Sequence, residues 1–138
     1  MRIFLDANIL VSVLNKEYPL FTYSSRIVSL ADNAKYKVYT SPVCLAIAFY
    51  FAEKKSGTAA AKQKIEVICN KLSIAEVGKG EVMQALQNKK VNDFEDGIEY
   101  YSAMQHKCST IITEDINDFY FSEAEVLNAK GFLEKYLL

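Results

Sequence analysis

The chain has 138 residues, 51% of them apolar, with five Gly, two Pro and a formal net charge of -1. That length suits one domain with its own core, and the composition excludes a disordered or low-complexity chain. The near-neutral balance excludes a protein that grips nucleic acid by bulk charge alone, so such a partner would have to be met by a local patch.

Cys44, Cys69 and Cys108 lie far apart and cannot all pair. This fits reduced thiols in a cytoplasmic protein, and metal chemistry at cysteine is not expected. Asp6 interrupts the N-terminal apolar run too early for a signal peptide, and no run reaches the roughly 18 apolar residues of a membrane span. The expectation is a soluble cytoplasmic protein with no membrane partner.

In chain order, Ile3, Phe4 and Leu5 form a short apolar run ending at Asp6, which predicts a strand buried on both faces. Asn8 can cap a helix beginning around Ile9. Residues 20–34 place Phe21, Ile27, Val28 and Leu30 at helical spacing, with Pro19 suited to the first turn. Residues 37–40 read as a second strand. Ser41-Pro42 opens a helix whose very apolar residues 43–51 predict burial against the sheet. Gly57 or Thr58 starts a further helix to about Asn70, residues 72–75 read as a short strand, and a polar helix runs from Gly78 to Lys89-Lys90. Residues 93–106 give another helix, and residues 109–113, Ser-Thr-Ile-Ile-Thr, give a second buried strand. Val126-Leu127 adds a short strand before a terminal helix over 128–138. Strands alternating with helices imply crossover connections and a parallel sheet covered on both faces.

Acidic residues fall where these elements change. Asp6 follows the first strand, while Asp115 and Asp118 follow the strand over 109–113. Ligands of open α/β sheets bind beyond the carboxyl ends of strands, so the two groups become neighbours if those strands pair. Asp96, early in the helix that feeds the later strand, points to the same edge if that helix runs antiparallel to the sheet. Carboxylates gathered this closely repel one another, and a divalent cation resolves the conflict. Oxygen ligands without His or Cys suit Mg²⁺ or Mn²⁺ better than Zn²⁺.

Each residue also has a purely structural reading. Asp6-Ala7-Asn8 can be a turn and an N-cap, Asp93 can cap its own helix, and Asp115 and Asp118 can be turn residues. His106, the only histidine, sits near a helix end and is not expected to catalyse. Lys54-Lys55, Lys62, Lys64 and Lys89-Lys90 are either an RNA-steering surface or a solvated one. Phe49-Tyr50-Phe51 and Tyr100-Tyr101 either stack on bases, form a dimer face or, as the leading reading, pack in the core.

Taken together, three blocks carry a family resemblance: Ile3-Phe4-Leu5-Asp6-Ala7-Asn8-Ile9-Leu10, Asp93-Phe94-Glu95-Asp96-Gly97-Ile98-Glu99-Tyr100-Tyr101 and Ile111-Ile112-Thr113-Glu114-Asp115-Ile116-Asn117-Asp118-Phe119. In order and spacing they resemble the PIN-domain family, which includes VapC-type toxins. The resemblance implies a single PIN-like domain over residues 1–138, a three-layer α/β/α fold around a parallel sheet of four or five strands. It implies Asp6, Asp96 and Asp115 as catalytic metal ligands, Asp118 as a further ligand, and Asn8 and Thr113 as polar supports for the ligands. By the same resemblance the activity would be Mg²⁺- or Mn²⁺-dependent cleavage of RNA, with an antitoxin protein and a second copy of the chain as partners.

One departure stands out. Family members commonly place an acidic residue in the helix after the second strand, and the matching stretch, Ser41-Pro42-Val43-Cys44-Leu45-Ala46-Ile47-Ala48, has Ile47 or a neighbour there. Loss of that carboxylate is expected to weaken metal affinity about 10- to 100-fold. Glu99, one turn along from Asp96, is close enough in sequence to contribute but reads as a solvated helix residue. Two functions of different class follow: a metal-dependent endoribonuclease, or a catalytically weak or inactive PIN-like module that binds RNA or a protein. A nuclease acting on flapped DNA is a further alternative.

Overall fold

The computed structural model describes residues 1–137. In order it contains β1 (Arg2–Leu5), α1 (Ala7–Leu14), α2 (Phe21–Ser29), β2 (Lys37–Thr40), α3 (Pro42–Ser56), α4 (Thr58–Lys71), β3 (Ser73–Ile74), α5 (Lys79–Gln87), α6 (Phe94–Gln105), β4 (Thr110–Ile112), β5 (Glu125–Leu127) and α7 (Ala129–Tyr136). The strands form one five-stranded sheet in the order β3-β2-β1-β4-β5, with every neighbouring pair parallel. Helices cover both faces, giving the three-layer α/β/α arrangement.

The central strands are the most apolar because both of their faces are covered. Ile3, Phe4, Leu5, Ile111 and Ile112 are completely buried. Among the helices, α1 packs on α2 and α3, α3 on α4, α2 on α7, and α5 on α6. No described helix is long and apolar enough to cross a membrane.

Several element boundaries differ from the sequence expectation for local reasons. Asp6, not Asn8, is the N-cap of α1: its extended backbone leaves the carboxylate to accept the Ala7 N–H at 2.6 Å, and Asn8 falls inside the first turn. The helix expected over 20–34 ends at Ser29 and tightens into a 3-10 turn over Leu30–Asp32. A second 3-10 turn, Ile116–Phe119, follows β4. The terminal helix ends at Tyr136, and the part of the expectation that fell on Leu138 lies outside the described residues.

Helix α3 departs most from its expected burial. Ser41 caps it, accepting the Cys44 N–H at 3.2 Å, and Pro42 occupies the first turn, as the sequence suggests. Its buried face, however, is the narrow stripe Cys44, Ala48 and Ala52, one residue per turn. Small side chains let α3 approach its neighbours closely, and the larger Tyr50 and Phe51 are left 51% and 45% exposed.

Helices α5 and α6 meet at Gly97, where a Cβ would lie 2.7 Å from Val91 Cγ1 and 3.0 Å from Ala85 Cβ. Overpacking of this kind costs about 1–3 kcal/mol, more than the roughly 1 kcal/mol that alanine gains over glycine in a helix. Gly97→Ala is therefore expected to lower the urea midpoint. An equal or higher midpoint would mean that the contact is loose.

Candidate metal centre

The register of the two central strands builds the site. Ile3, Phe4 and Leu5 stand opposite Thr110, Ile111 and Ile112. The Asp6 N–H extends the ladder to the Ile112 carbonyl at 3.0 Å, so Asp6 and Thr113 emerge side by side from the carboxyl edge of the sheet. Thr113 Oγ1 donates to Asp6 Oδ2 at 2.8 Å.

Asn8, in the first turn of α1, joins the two strand ends. Its Nδ2 lies 3.0 Å from Thr113 Oγ1, 3.2 Å from Asp115 Oδ2 and 3.4 Å from Asp6 Oδ2, while its Oδ1 accepts the Glu114 N–H at 3.2 Å. Thr113 Oγ1 also accepts the Asp115 N–H at 3.0 Å. The side chain of adjacent Glu114 caps a different element, its Oε2 accepting the Ala129 N–H at the start of α7, at 3.0 Å. The bonds through Asn8 and Thr113 fix the Asp6 and Asp115 side chains relative to each other.

A cavity of about 470 Å³ opens over this edge. Asp6, Asn8, Asp96, Asp115 and Asp118 all line it, as do Asp93 and Glu95, and no basic side chain is among its described lining residues. Asp96 enters from the first turn of α6, where Asp93 is the N-cap and accepts the Asp96 N–H at 3.2 Å. Asp118 comes from the 3-10 turn after β4. Of the six site residues expected from sequence, Thr113 alone is not in the lining; it supports the site from beneath, fully buried.

The electrostatics record the crowding. Burial, then the charges of Asp93, Asp6, Asp118 and Glu95, pushes the Asp96 carboxyl up to about 7. Burial and the charges of Asp93 and Asp6 also raise Glu95. An all-oxygen donor set with a surplus of negative charge and no cation of its own fits a hard divalent ion.

Two expectations are corrected beneath this pocket. Glu99 is not solvated: it is 1% exposed, one turn after Asp96 on the inner face of α6. Burial, the charge of Asp6 and a hydrogen bond to the Asp6 carboxyl push it well above the usual carboxylate range. Cys44 is also drawn in. Its Sγ donates to Glu99 Oε1 at 3.0 Å, and burial, Glu99 and Asp6 raise the thiol well above its ordinary value. Asp6, Cys44 and Glu99 offer ligand atoms within 4.8 Å of one another, a mixed cluster that runs against the expectation of no metal chemistry at cysteine. The i, i+3 relation of Asp96 and Glu99 was the available signal for Glu99. Nothing in the spacing pointed to Cys44.

His106 lies at the opposite end of α6, as its C-cap, with its ring 5.1 Å from that of Tyr39. On α3, Ile47 lines the cavity with Phe51.

Comparison with known proteins gives a consistent picture. A family model described as PIN domain matches residues 2–117. Ribonuclease VapC1 of Aquifex aeolicus (strain VF5) is 27% identical over 139 residues, covering 98% of this chain and 95% of that protein. Two solved structures share the fold. VapBC-1 from nontypeable Haemophilus influenzae superposes with a TM-score of 0.72 at 12% identity, over 94% of this chain and 99% of that one. VapBC2 from Rickettsia felis, bound to a DNA fragment from their promoter, gives a TM-score of 0.68 at 22% identity, over 93% and 98%.

The raised Asp96 carboxyl has a consequence for stability without metal. An acid whose folded pKa exceeds its unfolded value contributes stability that is fully present below the unfolded value, here 3.8, and is lost as pH rises through the folded value, about 7. In EDTA, Asp96→Asn is expected to gain thermal stability over the wild type as pH rises from about 4 to 8. Parallel melting curves for the two proteins across that range would contradict the crowding.

Proposed function

The chain belongs to the PIN-domain family, and on that premise we propose that it is a catalytically weak PIN module that binds RNA and a protein partner while holding Mg²⁺ or Mn²⁺ loosely. The observation that carries this reading is the composition of the pocket: Asp6, Asp96, Asp115 and Asp118 converge on it, but the α3 wall presents Ile47. Its deepest carboxylate, Asp6, lies close to the buried Glu99 carboxyl beneath the pocket.

Asp6, Asp96 and Asp115 would hold the ion, with Asp118 beside them. When bound, such an ion polarises a phosphoryl oxygen and lowers the pKa of a coordinated water. The chain's own part is orientation. Thr113 and Asn8 hold Asp6 and Asp115 in fixed rotamers through the bonds described above, and this keeps a phosphodiester and an attacking water in line. The absence of lysine and arginine from the described lining leaves charge neutralisation to the ion.

A second reading, a fully active Mg²⁺- or Mn²⁺-dependent endoribonuclease, is favoured by the four aspartates lining one pocket and by similarity to a protein named as a ribonuclease. Resemblance to VapC-type toxins supports an antitoxin as the protein partner, a homodimer and a cytoplasmic site of action.

Calorimetric titration of Mn²⁺, beside cleavage of a labelled RNA, separates the readings. The weak module predicts saturable binding in the millimolar range, slow metal-dependent cleavage and loss of both in Asp6→Asn. Micromolar binding with rapid turnover would establish the full nuclease, and no binding of metal or RNA would remove both.

If the α3 wall is the cause of the weakness, restoring a carboxylate there should reverse it. Ile47→Glu is expected to tighten Mn²⁺ binding about tenfold or more and to raise the cleavage rate. Unchanged affinity in a folded variant would place the cause elsewhere.

A further inference from the structure

The cavity has two chemically different walls. One is the carboxylate edge of the sheet; the other is formed by Val11, Leu20, Ile47 and Phe51, with exposed Glu17 also in the lining. Phe51 belongs to the wall and is also 45% exposed, so its ring is available from the open side. Next to it, Tyr50 lies edge-on with ring centroids 5.3 Å apart, and Lys54 Nζ sits 4.7 Å from the Tyr50 ring centre. Lys55 is turned inward to the Asn15 carbonyl, whereas Lys54 makes no ion pair among the described residues. Leading out of the cavity, the order is therefore an apolar wall, two exposed aromatic rings and an unpaired cation.

We propose that Phe51 is a base-stacking residue that receives the base of an unpaired nucleotide whose phosphate faces the carboxylate wall, with Lys54 set against a neighbouring phosphate. This inference rests on the RNA-binding reading above and adds the residue that would hold a base. The side chains of Val11, Leu20 and Ile47 carry no hydrogen-bonding group, so this wall reads base edges at most through exposed Glu17. It offers apolar contact and one π-face, which every base can use. Bases in a duplex are stacked on each other and present only their edges, so stacking at Phe51 needs an unpaired base and sets little sequence preference at that nucleotide. Two aromatic rings beside a cation that makes no ion pair among the described residues favour a phosphate-bearing strand over an apolar protein segment, which would leave Lys54 with the Tyr50 ring alone.

The test is fluorescence anisotropy with a 5′-labelled single-stranded RNA carrying phosphorothioate linkages, the same strand with one abasic nucleotide, and a duplex of equal length, in Mg²⁺ buffer. The wild type is expected to bind the intact strand more tightly than the duplex or the abasic strand. Phe51→Ala should weaken intact-strand binding about tenfold and abasic-strand binding much less. Phe51→Trp should retain the affinity. Phe51→Leu, which keeps the apolar volume without the π-face, should behave like the alanine variant. Because Phe51 is half exposed, all three are expected to melt near the wild type.

Several results would overturn the inference. Leucine binding as well as phenylalanine would reduce the wall to generic apolar contact, the property a protein partner would use. A shift in oligomeric state with Phe51→Ala, without a change in RNA affinity, would make the surface an interface between copies. If the wild type binds RNA but Phe51→Ala binds it equally well, base stacking falls while RNA binding stands; if the wild type binds none of the three probes, both fall.

Discussion

The alignment of β1 with β4 is the constraint on which the rest depends. Parallel strands place their carboxyl ends on one edge, and this register makes Asp6 and Thr113 the first residues beyond the ladder on both strands. A slip of one residue would turn every side chain to the opposite face. Leu5 would then point where Asp6 does, and the buried Ile111 and Ile112 would exchange layers. The apolar core and the polar edge are thus specified by the same pairing, with Asn8 and Thr113 as the clasp between the strand ends.

Charge in the pocket is handled in two ways at different depths. Near the opening, Asp96 and Glu95 are crowded by neighbours of the same sign, and their carboxyls are raised. Deeper, burial and the charge of Asp6 raise the Glu99 carboxyl, and the Cys44 thiol donates to it. Buried carboxyl groups without a counterion persist when hydrogen-bonded and partly neutral. On the α3 wall, Ile47 has no polar group to add to the lining.

Much of this was legible in the sequence. The two buried strands announce themselves as apolar runs ended by acidic residues, and the gathering of Asp6, Asp96, Asp115 and Asp118 at one edge follows once those strands pair and α6 runs antiparallel to them. The sequence expectation went astray where tertiary packing decides. Glu99 reads as a polar helix residue until α6 is known to press that face onto Asp6. Helix α3 reads as buried all round, yet the stripe Cys44, Ala48 and Ala52 suffices for its close packing, which leaves Tyr50 and Phe51 outside. Cap positions shift for a similar reason: Asp6 takes the capping role expected of Asn8, and this frees the Asn8 amide to bridge the strand ends.

The sheet tapers towards its margins: β3 has two residues and β5 three, while β1 and β2 have four each. Edge strands carry unpaired backbone groups that can template addition of another chain, and shortness is one way to blunt them. Glu125, on the outer β5, is further occupied by Thr110, Lys135 and Tyr136. With so little ladder on offer, continuation of the sheet into a neighbouring molecule is a poor route to assembly. The helix and loop surfaces remain, where recognition of any partner would depend on side-chain shape and charge and could be altered one residue at a time.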